Sequence, residues 1–193
     1  MTDPFFEKFR NYFPFEKEKW DEYIGYYRRI EVPSRTILLH EGEISKKAYF
    51  IEKGCLRAWF NSKNKDITYQ FFFEDHAVSS AESFRKKSPS MFTIETIEPC
   101  ILHWISKENM DRIMHEIMQA TETRDQMVEA LFERQMNYAN HFLSFIKYTP
   151  RERYMQLVKE RPEIVLRVPQ QYIASYLGIT PVSLSRIRSK LKH

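Results

Sequence analysis

A chain of 193 residues, 42% apolar and 15% aromatic, can bury one large core or a moderate core with a small appendage, which excludes wholesale disorder. No apolar run approaches the roughly 20 residues that cross a bilayer, and MTDPFFEKFRNYF lacks the order of a secretory signal; a cytoplasmic protein with no membrane partner is expected. Net charge is +4, yet the stretch from Lys147 to His193 holds ten Lys/Arg against three Asp/Glu, which suggests a polyanion partner for the tail.

Residues 4 to 27 place Phe5, Phe9, Tyr12, Trp20, Tyr23, Ile24 and Tyr27 at roughly helical spacing, predicting one or two short helices with a break at Pro14. From Ile30 the texture changes. RTILLH, KAYFIEKG, CLRAWF, ITYQFFF, FTIETIE and CILHWIS are short, mostly β-branched or aromatic runs between turn residues, the pattern of an antiparallel sandwich or barrel. Gly42 and Gly54 sit where tight turns are expected.

Cys55 and Cys100 have no metal-ligand spacing; the alternatives are one disulfide or two buried free thiols, and the second is favoured. The six histidines form no HExxH or similar set, and the strands carry no clustered His and Glu for a cupin-like enzyme. No catalytic residue and no metal ligand is assigned, and no cofactor can be named.

At ISKENM the period becomes helical. Ser106 is placed to cap the helix and Glu108 lies in its first turn. No Pro or Gly interrupts the chain from there to Ile146. Apolar residues recur at Met110, Ile113, Met114, Ile117, Met127, Leu131, Tyr138, Phe142 and Phe145, close to a heptad seam. One helix of about 40 residues would be about 60 Å long, too long for one small barrel to cover. The alternatives are two helices broken near Thr121–Thr123 or a dimer helix, and the continuing seam favours the second. Beyond Pro150, Tyr154, Leu157 and Val158 predict one more amphipathic helix, and IVLRV predicts a short strand before Pro169.

The segment IASYLGITPVSLSRIRSKL has the offsets of a helix-turn-helix. Ala174 is the small residue at the helix crossing, Gly178 the turn, and Ile173, Leu177, Ile179, Leu184 and Ile187 the inward face. Thr180 is placed to cap the second helix, with Pro181 in its first turn. Val182, Ser183, Ser185, Arg186, Arg188 and Lys190 then face outward, and with Thr180 and Pro181 they form the predicted DNA-contacting set.

With that segment placed, the whole chain resembles the Crp/Fnr family of transcription regulators. The resemblance rests on HEGEISKKAYFIEKGCLRAWF, the long helix after ISKENM, and IASYLGITPVSLSRIRSKL. It implies an α+β fold: an N-terminal antiparallel β-roll (a jelly-roll of the cyclic-nucleotide-binding kind) with flanking helices over 1–106, a dimerisation helix over 107–146 and a C-terminal winged helix-turn-helix over 147–193. It implies a homodimer that binds double-stranded DNA at a palindromic operator under a small-molecule effector, with RNA polymerase as a candidate further partner.

Cyclic-AMP-binding members carry Gly-Glu at the start of a phosphate-binding helix and Arg-Ser further on. An ungapped alignment puts Ser79-Ser80 and Ser90-Met91 there, so the arginine for the cyclic phosphate is missing. Ser79, Ser80, Ala81, Glu82, Ser90 and Met91 are the ligand-pocket candidates on the roll, and Asn137 and Tyr138 those on the long helix. The family's iron–sulfur sensors use four cysteines, and this chain has two. The competing readings are a ligand-free member that acts by abundance and a cyclic-nucleotide-binding signalling protein.

Overall fold

The computed structural model describes residues 4–10, 15–119 and 121–191, without the side chains of residues 122 and 123. The break expected at Pro14 lies outside the described residues. Two short helices, α1 (Pro4–Glu7) and α2 (Lys17–Ile24), precede eight strands: β1 (Arg28–Val32), β2 (Ile37–Leu39), β3 (Lys47–Lys53), β4 (Leu56–Ser62), β5 (Lys65–Phe72), β6 (Ala77–Val78), β7 (Thr93–Thr96) and β8 (Cys100–Ser106). They form two antiparallel sheets, β1-β8-β3-β6 and β2-β7-β4-β5. The six apolar runs are β2, β3, β4, β5, β7 and β8.

Inward residues of both sheets, among them Leu39, Ile51, Leu56, Ala58, Phe72, Ile94 and Leu102, make the core of the roll. Two turns show why the chain reverses where it does. In the β4–β5 hairpin Lys63 and Asn64 both have positive φ (50° and 61°), as a two-residue turn that follows strand twist requires. At Gly54 φ is +109°, and a Cβ there would lie 2.5 Å from the Cys100 sulfur, so no side chain fits. On the outer face Phe5, Phe6 and Trp20 form a second cluster, in which the Phe5 ring stacks on His103 with centroids 4.7 Å apart.

Over the span 107–146 the described residues are helical as α4 (Lys107–Gln119) and α5 (Thr121–Lys147), and residue 120, where the two meet, lies outside the described residues. Ser106 does cap α4, its Oγ accepting from the Asn109 N–H at 3.3 Å. Ile113 and Ile117 are buried against Tyr23, Ala48 and Ile105, so the first part of the predicted seam belongs to this chain's own core. None of the described side chains of α5 is buried. Val128, Leu131, Phe132, Phe142 and Ile146 all lie exposed along it. Tyr138 departs from that seam and turns toward the roll, its ring 6.1 Å from that of Tyr69.

The tail is helical: α6 (Pro150–Glu160), α7 (Pro162–Arg167), α8 (Gln170–Tyr176) and α9 (Pro181–Leu191). Thr149 and Glu152 form a reciprocal capping box at the start of α6. The strand expected at IVLRV is instead α7. A strand would bury Ile164, Leu166 and Val168 together, whereas Ile164 and Val168 are buried and Leu166 is 83% exposed. That four-residue spacing is helical, and Pro162 suits the first turn. No strand follows Ser106 among the described residues, so the helix-turn-helix stands there without the expected wing. The tail core is shared with the roll: Cys55, Phe71 and Phe73 pack with Tyr154, Leu157, Ile164, Ile173, Tyr176 and Leu184.

Candidate nucleic-acid interface and effector region

The helix-turn-helix is built from three inward contacts. Ala174 and Leu184 are both fully buried where α8 crosses α9. Gly178 has φ +67°, and a Cβ on it would come within 2.9 Å of the Phe145 ring, so the turn is packed directly on α5. The Ile179 N–H closes the turn onto the Ala174 carbonyl at 2.9 Å. Thr180 Oγ1 accepts from the Ser183 N–H at 3.1 Å, capping α9 as its sequence position predicts, and Pro181 opens the helix.

The outer face of α9 carries the predicted set. Thr180, Pro181, Val182, Ser185, Arg186 and Lys190 are exposed, and Ser183 and Arg188 are half-buried. No ion pair engages Arg186, Arg188 or Lys190 among the described residues. An exposed helix with uncompensated cations and short hydroxyls has the chemistry to meet phosphates and base edges together.

The attachment of this unit to the roll was not legible in the sequence. Ser175 on α8 accepts from the Thr68 N–H at 2.9 Å and donates to the Asp66 carbonyl at 2.8 Å. Arg57 on β4 lies 3.8 Å from the Tyr172 ring centroid and 2.8 Å from the Glu95 carboxylate, with side chains 3% and 12% exposed. Arg167, just before α8, holds Glu74 through two hydrogen bonds of 2.7 and 2.8 Å and also meets Glu98. The Arg167 guanidinium, aided by the Gly54 N–H, brings the Glu74 carboxyl down to about 2. His141 on α5 stacks on Tyr176 with ring centroids 4.2 Å apart. Burial first, and then the charges of Arg153 and Arg161, lower the His141 imidazole to about 4.

On the roll, the loop aligned with a phosphate-binding helix gives the short helix α3 (Ala81–Lys86). Ser80 is buried at its start and Ser79 is half-buried, while Ala81 and Glu82 are exposed. Glu82 pairs with Lys86 at 2.9 Å. Ser90 is buried, and its hydroxyl donates to the Phe92 carbonyl at 2.6 Å while its backbone bonds Gly42 and Glu43. Met91 is 67% exposed. The fold uses Ser90 for itself.

Asn137 and Tyr138 line a cavity of about 710 Å³, bounded also by Phe72 of β5, Arg153 of α6 and Tyr176 of α8. None of Ser79, Ser80, Ala81, Glu82, Ser90 or Met91 reaches it. The structure therefore does not bring the two groups of ligand candidates together in that cavity. Among the described residues no group of three His, Cys, Asp or Glu side chains could hold a metal ion. Cys55 and Cys100 are free and buried, and burial pushes the Cys100 thiol up to about 11.

Residues 29–116 match the family model of the cyclic nucleotide-binding domain. No curated protein matches the chain significantly. Several solved structures share its fold. FixK2 of Bradyrhizobium japonicum is 14% identical, with a TM-score of 0.73 over 86% of this chain and 84% of that one. CLP of Xanthomonas campestris, described as a c-di-GMP-responsive global regulator, is 16% identical, with a TM-score of 0.71 over 92% of both chains. A CooA mutant of Carboxydothermus hydrogenoformans is 16% identical, with a TM-score of 0.67 over 87% of this chain and 77% of that one. At such identities the likeness carries the architecture: a roll of the cyclic-nucleotide-binding kind joined by helices to a helix-turn-helix.

Proposed function

We propose that this protein is a homodimeric, DNA-binding transcription regulator of the Crp/Fnr type, cytoplasmic and without a catalytic role. The observation that carries this reading is α9: a helix with an exposed outer face whose Arg186, Arg188 and Lys190 have no ion-pair partner among the described residues, on a basic tail. The division of labour follows the chain, with residues 1–106 for sensing, 107–146 for dimerisation and 147–193 for DNA. The exposed apolar stripe of α5 supports a second copy as its cover. At a promoter such a dimer would act by contact with RNA polymerase or by excluding it.

Selection of duplexes from a random pool with the full chain tests the reading. A palindrome is expected, with half-sites about one helical turn (roughly 34–36 Å) apart. Recovery of unselected sequence would overturn it.

The roll is not a cyclic-AMP receptor in this reading. A buried cyclic phosphate needs a cation, and the aligned positions hold Ser90, engaged by Phe92, and an outward Met91. Calorimetry with cyclic AMP or cyclic GMP giving a dissociation constant at or below about 10 μM, roughly −7 kcal/mol, together with cyclic-nucleotide-dependent DNA binding, would contradict this. The same internal use of Ser90 favours the second reading, a ligand-free member acting by abundance. A panel of nucleotides and organic anions in calorimetry separates the two.

A further inference from the structure

The cavity beside Asn137 and Tyr138 is walled by three separate parts of the chain: strand β5, helix α5, and helices α6 and α8. Its volume of about 710 Å³ is that of a small-molecule site, for which roughly 300–1,000 Å³ is usual. Arg134, Lys147, Arg153 and Arg161 line it against two carboxylates, Glu133 and Glu160. Of these cations only Arg161 has a carboxylate partner among the described residues, Glu163 at 2.6 Å. Arg153 is spent on neutral acceptors, donating to the Tyr148 and Leu177 carbonyls at 2.7 and 2.9 Å. Its buried Nε has no hydrogen-bond partner. The guanidinium also lies over the Phe145 ring at 4.7 Å, and with no carboxylate paired to it among the described residues it leaves a positive charge that an anion in the cavity can meet.

Rings of Phe72, Tyr138, His141 and Tyr176 share the remaining wall with amides such as Asn137 and Asn140. His141 lies against Tyr176 with planes 10° apart, and Tyr138 is tilted on Tyr69. A neutral imidazole adds polarisable, hydrogen-bonding surface without a further charge.

We propose that this cavity binds an organic anion, a carboxylate or phosphate joined to a flat unsaturated group, with the anion at the arginines and the ring at the aromatic wall. The site holds the two ligand candidates of the long helix, Asn137 and Tyr138, and is separate from those of the α3 loop. An occupant would touch roll, helix and tail at once. Its affinity therefore depends on how the three are placed, and it shifts any equilibrium between two placements toward the one it fits better. That regulatory consequence rests on the DNA-binding reading above; the binding itself does not.

The test is calorimetry on the full chain with phenyl phosphate, benzoate and inorganic phosphate as probes. Phenyl phosphate is expected to bind at least about tenfold more tightly than inorganic phosphate, and to shift the His141 ring resonances in NMR. Arg134→Gln with Lys147→Gln, which alters two exposed side chains with no ion pair among the described residues, should weaken phenyl phosphate and benzoate by about tenfold or more. Arg153→Gln should do the same where it folds, and the exposed pair decides the matter where it does not. The proposal is overturned if folded protein shows no binding of either aromatic anion up to about 10 mM, if the double variant binds them unchanged, or if binding leaves His141 unshifted. Sequence-specific DNA binding is assayed in parallel. Its absence alongside normal anion binding would refute the regulator reading and uphold this site.

Discussion

The hydroxyl of Ser175 bridges the backbone of β5 on either side of Ile67, accepting from the Thr68 N–H and donating to the Asp66 carbonyl. Strand β5 is the outer strand of its sheet, so these groups would otherwise face an open edge. A side chain from the helix-turn-helix thus takes the place of a neighbouring strand. Ser175→Ala leaves both groups unpaired and should cost about 1–3 kcal/mol in urea unfolding. An unchanged midpoint would show that water serves the edge equally well.

Arg57 and Glu95 form an ion pair with little access to solvent. Arg57→Met strands the carboxylate and should destabilise the protein by about 3–5 kcal/mol. The double variant Arg57→Met/Glu95→Leu should recover much of that loss, because no buried charge is left alone. A double-mutant cycle with no coupling would contradict the pairing.

Arg186→Ala is expected to weaken specific DNA binding by about 1–3 kcal/mol and relax selectivity at one base pair. Lys190→Ala, further along α9, should weaken all sequences alike and flatten the salt dependence. Equal effects of the two on selectivity would count against a helix that reads bases at one end and holds phosphate at the other.

Leu131 is 58% exposed in the single chain, so a charge there does not disturb its own core. Leu131→Asp should therefore leave the circular dichroism of the fold intact while abolishing the dimer in sedimentation, since the charge would have to enter an apolar interface. Dimeric Leu131→Asp protein at micromolar concentration would exclude this stripe as the contact.

His141 sits between Tyr176 and Phe145, and burial, with the charges of Arg153 and Arg161, brings its imidazole down to about 4 from the ordinary 6.5. Its folded pKa is lowered, so the unfolded chain binds the proton more readily between those values. Stability should hold above about pH 6.5 and fall as the pH drops toward 4. His141→Phe should remove that part of the slope in denaturation measured across the window. A slope that survives the substitution must come from other groups.

The strand runs were legible because β3, β4 and β8 are mostly apolar between turn residues. Strand β1 was not, since RRIEV is mainly charged and inserts only Ile30 and Val32. Strand β6, two residues long, is too short to carry a pattern. At α7 a β-branched composition pointed to a strand while the spacing of Ile164 and Val168 followed a helix, and packing on Leu184 and Phe73 decided the outcome. The helix-turn-helix showed itself through short-range offsets that any copy of the motif must keep. The cavity had no such signature. Gln70, Asn137, Arg153 and Tyr176 meet only in three dimensions, and nothing in the local chemistry of any one announces the others.

Because Cys55, Phe71 and Phe73 of the roll lie in the same buried cluster as Tyr154, Leu157 and Leu184 of the tail, the helix-turn-helix is not a head swinging on a tether. Pulling it away would expose that cluster to water, at a free-energy cost set by the apolar area uncovered. Loosening alone would therefore be a costly means of control. Any second arrangement would have to offer the same side chains another dry seat, so that a switch between two states would be a choice between two well-packed solids.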